Sequence, residues 1–194
     1  MKRICVFLGS NPGHDSRYTE AAVELGTELA KREIGVVYGG SGVGLMGTLA
    51  DAALAAGGSV IGVIPELLVK KEVAHHGLTE QYVVPSMHAR KAKMAELSDG
   101  FIAMPGGIGT LEEFFEVLTW NQLGYHSKPC GLLDVKGYYS ELAGFLDKVV
   151  EEGFLVSEHR GMVLTDASPG GLLDKFDGYV PPQVDKWIEK KKGL

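Results

Sequence analysis

The sequence predicts an α/β fold, a Rossmann-like doubly wound parallel sheet with helices on both faces, in one domain over residues 1–194. Three observations carry that reading. Short runs of β-branched and aliphatic residues alternate with stretches of helical periodicity along the chain. Glycines cluster where strand-like runs end, notably at 39–47 and 106–109, as tight strand-to-helix turns require. The 194 residues, 45% hydrophobic and 23% charged, suit one sizeable core better than two small ones.

Taken in order, Ile4–Gly9 reads as a first strand, and Ser10-Asn11-Pro12-Gly13 as a turn. Ser16–Arg32 has helical spacing through Ala21, Leu25 and Leu29. A second strand is expected over Gly35–Tyr38, a helix from Leu45 to Ala56, and a third strand over Ser59–Ile64, stopped by Pro65. The least regular stretch, Glu66 to Leu78, contains Lys70-Lys71-Glu72 and His75-His76. Regularity resumes with a strand over Gln81–Val84, a helix over Met87–Leu97 and a strand over Gly100–Met104. A helix from Thr110 to Leu123 then places Leu111, Phe114, Phe115 and Leu118 on its buried side. Pro129–Leu133, a helix over Tyr138–Val150 and a last strand over Met162–Thr165 complete the pattern, with Lys190-Lys191-Lys192 as a solvated end. In such sheets, ligands bind beyond the C-terminal strand ends near the topological switch point, so the loops after strands are the informative ones.

A net charge of −6 gives no general attraction to nucleic acid or an anionic membrane, so any bound phosphate must be held locally. The N-terminus lacks the apolar length and cleavage site of a signal peptide, and no apolar run reaches membrane-spanning length. The expected compartment is the cytoplasm. Cys5 and Cys130 lie in apolar strand-like runs and read as small buried hydrophobes. His75-His76 lacks metal-ligand spacing, and neither a metal nor a cofactor is expected.

Two glycine loops carry the chemistry. Gly42, Gly44 and Gly47 form a literal G-x-G-x-x-G between a strand and a helix. It follows the second strand rather than the first, which weakens it as a dinucleotide fingerprint. A phosphate or ribose contact and plain tight packing both remain open for it. The second loop, Pro105-Gly106-Gly107-Ile108-Gly109-Thr110, leaves a buried strand and opens a helix. Three glycines and a hydroxyl at a helix N-terminus make a phosphate cradle, and no G-K-[ST] follows to suggest Walker-type ATP hydrolysis.

Glu112 and Glu113 follow in that helix. One of them merely complements the macrodipole; the other is placed for chemistry. A fixed carboxylate stabilises the oxocarbenium-like transition state of glycosidic cleavage and orients water. The matching cations are Arg90 and Lys91, on the first turns of a predicted helix where basic residues oppose the macrodipole. Arg90 suits a bidentate grip on phosphate or carboxylate, and Lys91 acts as a point charge. Lys93 reads as exposed. Thr119, polar on an apolar helix, either caps a neighbour or reaches the ligand.

Several segments occur together in a recognisable order: Gly9-Ser10-Asn11, Tyr38-Gly39-Gly40 through Gly44-Leu45-Met46-Gly47, Met87-His88-x-Arg90-Lys91, and P-G-G-x-G-T-x-x-E over Pro105–Glu113. Trp120-x-Gln122-Leu123-Gly124 and Glu151-Glu152-Gly153-Phe154 extend the match. Jointly they resemble the LONELY GUY (LOG) family of cytokinin riboside 5′-monophosphate phosphoribohydrolases, whose bacterial members often carry a lysine decarboxylase label. The resemblance implies Arg90 and Glu113 as the catalytic pair. It implies substrate contacts at Gly9, Ser10, Gly40, Gly44, Met46, Glu72, Met87, Lys91, Gly106, Gly107, Ile108, Gly109, Thr110 and Thr119. It also implies a homodimer acting on a nucleoside 5′-monophosphate, either a cytokinin riboside 5′-monophosphate or AMP, with the partner chain helping to shape the base pocket. Ala89 and Lys93 replace positions often polar or acidic in relatives, which leaves the base preference open. A pyridoxal-phosphate decarboxylase would need a Schiff-base lysine in a cofactor environment, and none is recognisable. The competing reading is a non-catalytic nucleotide or cofactor carrier resembling molybdenum-cofactor carrier proteins.

Overall fold

The computed structural model describes residues 1–69 and 74–182. Seven strands form one parallel sheet: β1 (Arg3–Phe7), β2 (Gly35–Tyr38), β3 (Val60–Pro65), β4 (Glu80–Val84), β5 (Gly100–Ala103), β6 (Cys130–Leu133) and β7 (Val163–Asp166). Their spatial order is β4-β3-β2-β1-β5-β6-β7. The helices are α1 (Ser16–Lys31), α2 (Gly44–Ala55), α3 (Glu66–Val69), α4 (Met87–Leu97), α5 (Ile108–Gln122), α6 (Ser140–Glu151), α7 (Ser157–Arg160) and α8 (Pro169–Asp177).

The sheet is covered on both faces, and the strand residues divide accordingly. Ile4, Val6, Val36, Tyr38 and Ile102 pack with residues of α1, α2 and α8, whereas Cys5, Phe7, Val37, Phe101 and Ala103 pack with residues of α4, α5 and α6. This alternation of faces is what period-two strand geometry dictates. The strands nevertheless read as continuous apolar runs, because neither face meets water. The two edges differ: β4 pairs with β3 and is largely exposed, and β7 pairs with β6 and is half-buried beyond Val163. Cys5 and Cys130 are free and buried, and burial pushes both thiols up, Cys130 to about 12.

The expected elements are present, with ends moved by one or two residues. α5 starts at Ile108 rather than Thr110 because extended Gly107 is its N-cap. Three helices were not expected. α3 and α7 are single turns. α8 packs Leu172, Leu173 and Phe176 into the core, and its start was legible as Ser168-Pro169, an N-cap followed by proline at the first helical position. The buried stripe of α5 also differs from expectation. Leu111 and Phe115 are only half-buried, whereas Thr110, Glu113 and Asn121 are buried with Phe114, Val117 and Leu118. Three polar residues on a core-facing stripe mark the helix as more than packing. No described helix is long and apolar enough to cross a membrane.

Candidate active site

The chain runs outward from β1 in both directions, so the sheet reverses its order between β1 and β5. Loops leaving those two neighbours diverge and open a crevice at their C-terminal ends. The crevice has a volume of about 230 Å³. Leu8, Gly9 and Ser10 line it from the β1 loop, Met46 from α2, Met87 and Arg90 from α4, and Gly107, Gly109, Thr110, Glu112 and Glu113 from α5. A second cavity of about 220 Å³ adjoins it on the α1 side, between Tyr18, Tyr138 and the loops at 9–13 and 105–107.

Arg90 and Glu113 meet there. The Arg90 Nη2 lies 3.0 Å from the Glu113 Oε1, and each side chain is only 10% exposed. Burial raises the Glu113 carboxyl above the ordinary carboxylate range, and the Arg90 charge partly opposes that rise. The guanidinium is held from several sides. Its Nη1 faces the Met87 Sδ at 3.7 Å. Gly39 lies close beneath the guanidinium, so that a Cβ there would displace it or the Met46 methyl. The Arg90 Nε is buried with no hydrogen-bond partner, so the pair leaves donor capacity for a ligand.

Lys91 behaves differently. Its Nζ lies 2.5 Å from the Glu112 Oε1 and 3.1 Å from the Glu116 Oε2, and its side chain is 9% exposed. The hydrogen bond to Glu112 raises its pKa above the usual lysine value. Lys91 is thus an ammonium within ion-pair distance of two carboxylates of α5.

Gly107, the N-cap of the fifteen-residue α5, supplies no side-chain cap to the first-turn N–H groups. A Cβ at Gly107 or Gly109 would meet nothing within 4 Å, so both glycines leave open space where the helix N-terminus faces the crevice. Such a terminus attracts anions through unpaired N–H groups and the macrodipole. Gly106 differs: its Cβ would strike Thr110 and the Gly9 backbone, so packing requires its glycine. The loop is braced by the Gly9 N–H donating to the Pro105 carbonyl at 3.2 Å. The Tyr138 hydroxyl donates to the Gly106 carbonyl at 2.6 Å, and that of Tyr139 to the Met104 carbonyl at 2.6 Å.

Of the residues named from sequence, the structure brings Gly9, Ser10, Met46, Met87, Arg90, Gly107, Gly109, Thr110 and Glu113 to one crevice. Gly40 and Gly44 do not line it. Both have positive φ (76° and 58°), and a Cβ on Gly44 would strike the Ser10 carbonyl. Gly47 likewise packs on the Gly42 carbonyl, so the literal G-x-G-x-x-G closes tightly where α2 begins. The Ile108 side chain is 84% exposed outside the crevice. Thr119 lies further along α5 and donates to the Phe115 carbonyl. Lys93 is half-buried rather than exposed, bonded to Glu96 and lying over the Tyr82 ring. Glu72 and Lys190-Lys191-Lys192 lie outside the described residues. His75 bonds Asp51 at 3.0 Å, and no cluster able to hold a metal occurs among the described residues. Sequence reasoning missed Leu8, Glu116 and the pairing of Glu112, and named Gly39 only as part of a motif. For Glu116 the available signal was its i, i+4 spacing from Glu112.

The fold and crevice define a Rossmann-like α/β protein with an anion-receptive helix terminus and a buried arginine–glutamate pair at its switch point. A family model described as "Possible lysine decarboxylase" matches residues 46–176. The cytokinin riboside 5′-monophosphate phosphoribohydrolase LOG1 of Arabidopsis thaliana is 52% identical, over 98% of this chain and 89% of that relative. The probable phosphoribohydrolase LOGL2 of Oryza sativa subsp. japonica is 49% identical, over 98% of this chain and 78% of its own length. The chain belongs to the LOG family. Among solved structures, the Moco carrier protein from Chlamydomonas reinhardtii superposes with a TM-score of 0.70 at 23% identity, over 91% of this chain and 96% of that one. The molybdenum cofactor binding protein from Rippkaea orientalis gives 0.69 at 23% identity, over 92% and 97%. Identities that low show a shared fold and nothing finer.

Proposed function

We infer that this chain hydrolyses the N-glycosidic bond of a nucleoside 5′-monophosphate, giving a free base and ribose 5-phosphate. Family membership supports the reaction. The observation that carries its location is the buried Arg90–Glu113 pair beside the open N-terminus of α5.

The 5′-phosphate docks on the N–H groups of Gly107, Ile108 and Gly109, where glycine leaves room and the helix favours an anion; the Thr110 N–H is already given to the Gly107 carbonyl. That placement sets the ribose over Glu113. As the bond to the base breaks, positive charge develops on the sugar ring, and the Glu113 carboxylate stabilises it and orients the attacking water. Arg90 holds Glu113 in place and offers its remaining N–H donors to the substrate. The raised carboxyl of Glu113 must lose its proton to act, so the acidic limb of activity lies above the ordinary carboxylate range. Lys91 is held protonated, the opposite of what a Schiff-base lysine requires.

Both a cytokinin riboside 5′-monophosphate and AMP fit this reading. Incubation with AMP and with isopentenyladenosine monophosphate, followed by detection of free base and ribose 5-phosphate, tests it. Wild-type protein should turn over at least one of the two, and Glu113→Gln should bind nucleotide while losing about 10²–10³-fold in kcat. Wild-type protein that binds nucleotide without releasing base would instead be the carrier.

A further inference from the structure

We propose that Lys91 and Glu116 form a positioning pair, in which Lys91 draws Glu112 and Glu116 to itself and leaves Arg90 to Glu113 alone. The proposal rests on the phosphoribohydrolase reading for its kinetic consequences, and on the geometry of α4 and α5 for its substance.

Two adjacent residues of α4 face three carboxylates of α5. Glu112 and Glu116 are one helical turn apart, a spacing at which like charges repel, and Glu113 lies between them in sequence. Without Lys91, two carboxylates beside Glu113 on α5 would lack their cation. Lys91 prevents this by contacting Glu112 at 2.5 Å and Glu116 at 3.1 Å, while Arg90 contacts Glu113 at 3.0 Å. Glu112 is half-exposed, so water screens it; Glu116 is 27% exposed and faces Lys91 with less screening. Glu116 does not line the crevice, and it reaches the reaction only through its neighbours.

The charges facing Glu113 are Arg90 and Lys91 from α4 and Glu112 and Glu116 from its own helix; Cys5 of β1 is buried nearby as a neutral thiol. Lys91 favours the charged form of Glu113, and Glu116 disfavours it. Breaking the pair from either end therefore moves Glu113 in opposite directions. Generic damage to helix packing has no such sign.

The experiment records kcat, KM and the acidic limb of the pH profile for wild type, Lys91→Met, Glu116→Gln, the double variant and Lys91→Arg, with the nucleotide that wild type turns over. Titration of the Glu113 carboxyl by ¹³C NMR in the same proteins gives the comparison without turnover. Glu116→Gln should move the limb and the titration to lower pH, and Lys91→Met to higher pH. Each should lower kcat about tenfold through misplacement of the pair, with KM within about twofold. The double variant should return toward the wild-type midpoint, and Lys91→Arg should keep it. A Lys91→Met variant with raised KM and intact kcat would make Lys91 a phosphate ligand and overturn the proposal. Midpoints that stay fixed or move together would also overturn it. An inactive wild type would defeat the hydrolase reading alone, since the NMR midpoints would still decide for or against the pair.

Discussion

Within the loop at 105–110, neighbouring glycines serve different ends. Gly106 is glycine because a Cβ would lie 2.8 Å from the Thr110 Cβ and 2.9 Å from the Gly9 nitrogen. Gly107 is glycine although a Cβ would meet no protein atom within 4 Å. Gly106→Ala should therefore destabilise the fold by about 1–3 kcal/mol through overpacking. Gly107→Ala should leave stability within about 0.5 kcal/mol while raising KM about tenfold, since the methyl takes the space assigned to phosphate. Urea denaturation together with steady-state kinetics separates the two; equal thermal losses in both variants would remove the distinction. The sequence showed these glycines and Glu113, four residues beyond Gly109, because each belongs to one contiguous motif. It did not distinguish packing glycines from ligand-facing ones, because that depends on Thr110 and Gly9 approaching in space. The ion contacts of Lys91 were hidden for a similar reason: a lysine beside an arginine reads as a free charge until the opposite helix is placed.

Among the elements, α4 and α5 were legible from their patterning; the structure adds the Ser86 cap of α4, whose side chain accepts the Ala89 N–H. For α8 only the start was legible, as Ser168-Pro169, because Gly170 and Gly171 dilute the helical signal within the first turn. Its cap is nonetheless well made: the Ser168 side chain accepts the Gly171 N–H at 3.2 Å, and Asp166 in turn accepts from Ser168. Ser168→Ala should cost about 1 kcal/mol of stability, read as a lower urea midpoint with an unchanged slope and unchanged kcat. A variant as stable as wild type would mean that α8 is held by Leu172 and Phe176 alone.

At the level of the whole molecule, the sheet order explains why residues 9, 46, 90 and 113 share one crevice, since every strand ends on the same side. The fold class followed from alternation, clustered glycines and composition. The position of the switch point did not, because strand order depends on crossover choices that local patterns leave open. Met87 and Ile108 stand 46% and 84% exposed beside the crevice, apolar surface that a second copy of the chain would cover. We propose a homodimer on this side, and light scattering should report twice the 20.8 kDa chain mass at micromolar concentration. A monomer at that concentration would count against a base pocket shared between chains.

The central pairing of β1 with β5 also bears on how activity is acquired. Asp99, just before β5, accepts from the backbone N–H groups of Lys2 and Arg3, which lie 97 and 96 positions away along the chain. Arg90 and Glu113 flank β5 on either side in sequence, so they face one another only once that strand has docked at the middle of the sheet. Such distant contacts form late, after the local helices. The regain of turnover during refolding from urea would therefore trail the recovery of helical circular dichroism, making the enzyme's own chemistry a clock for closure of the sheet.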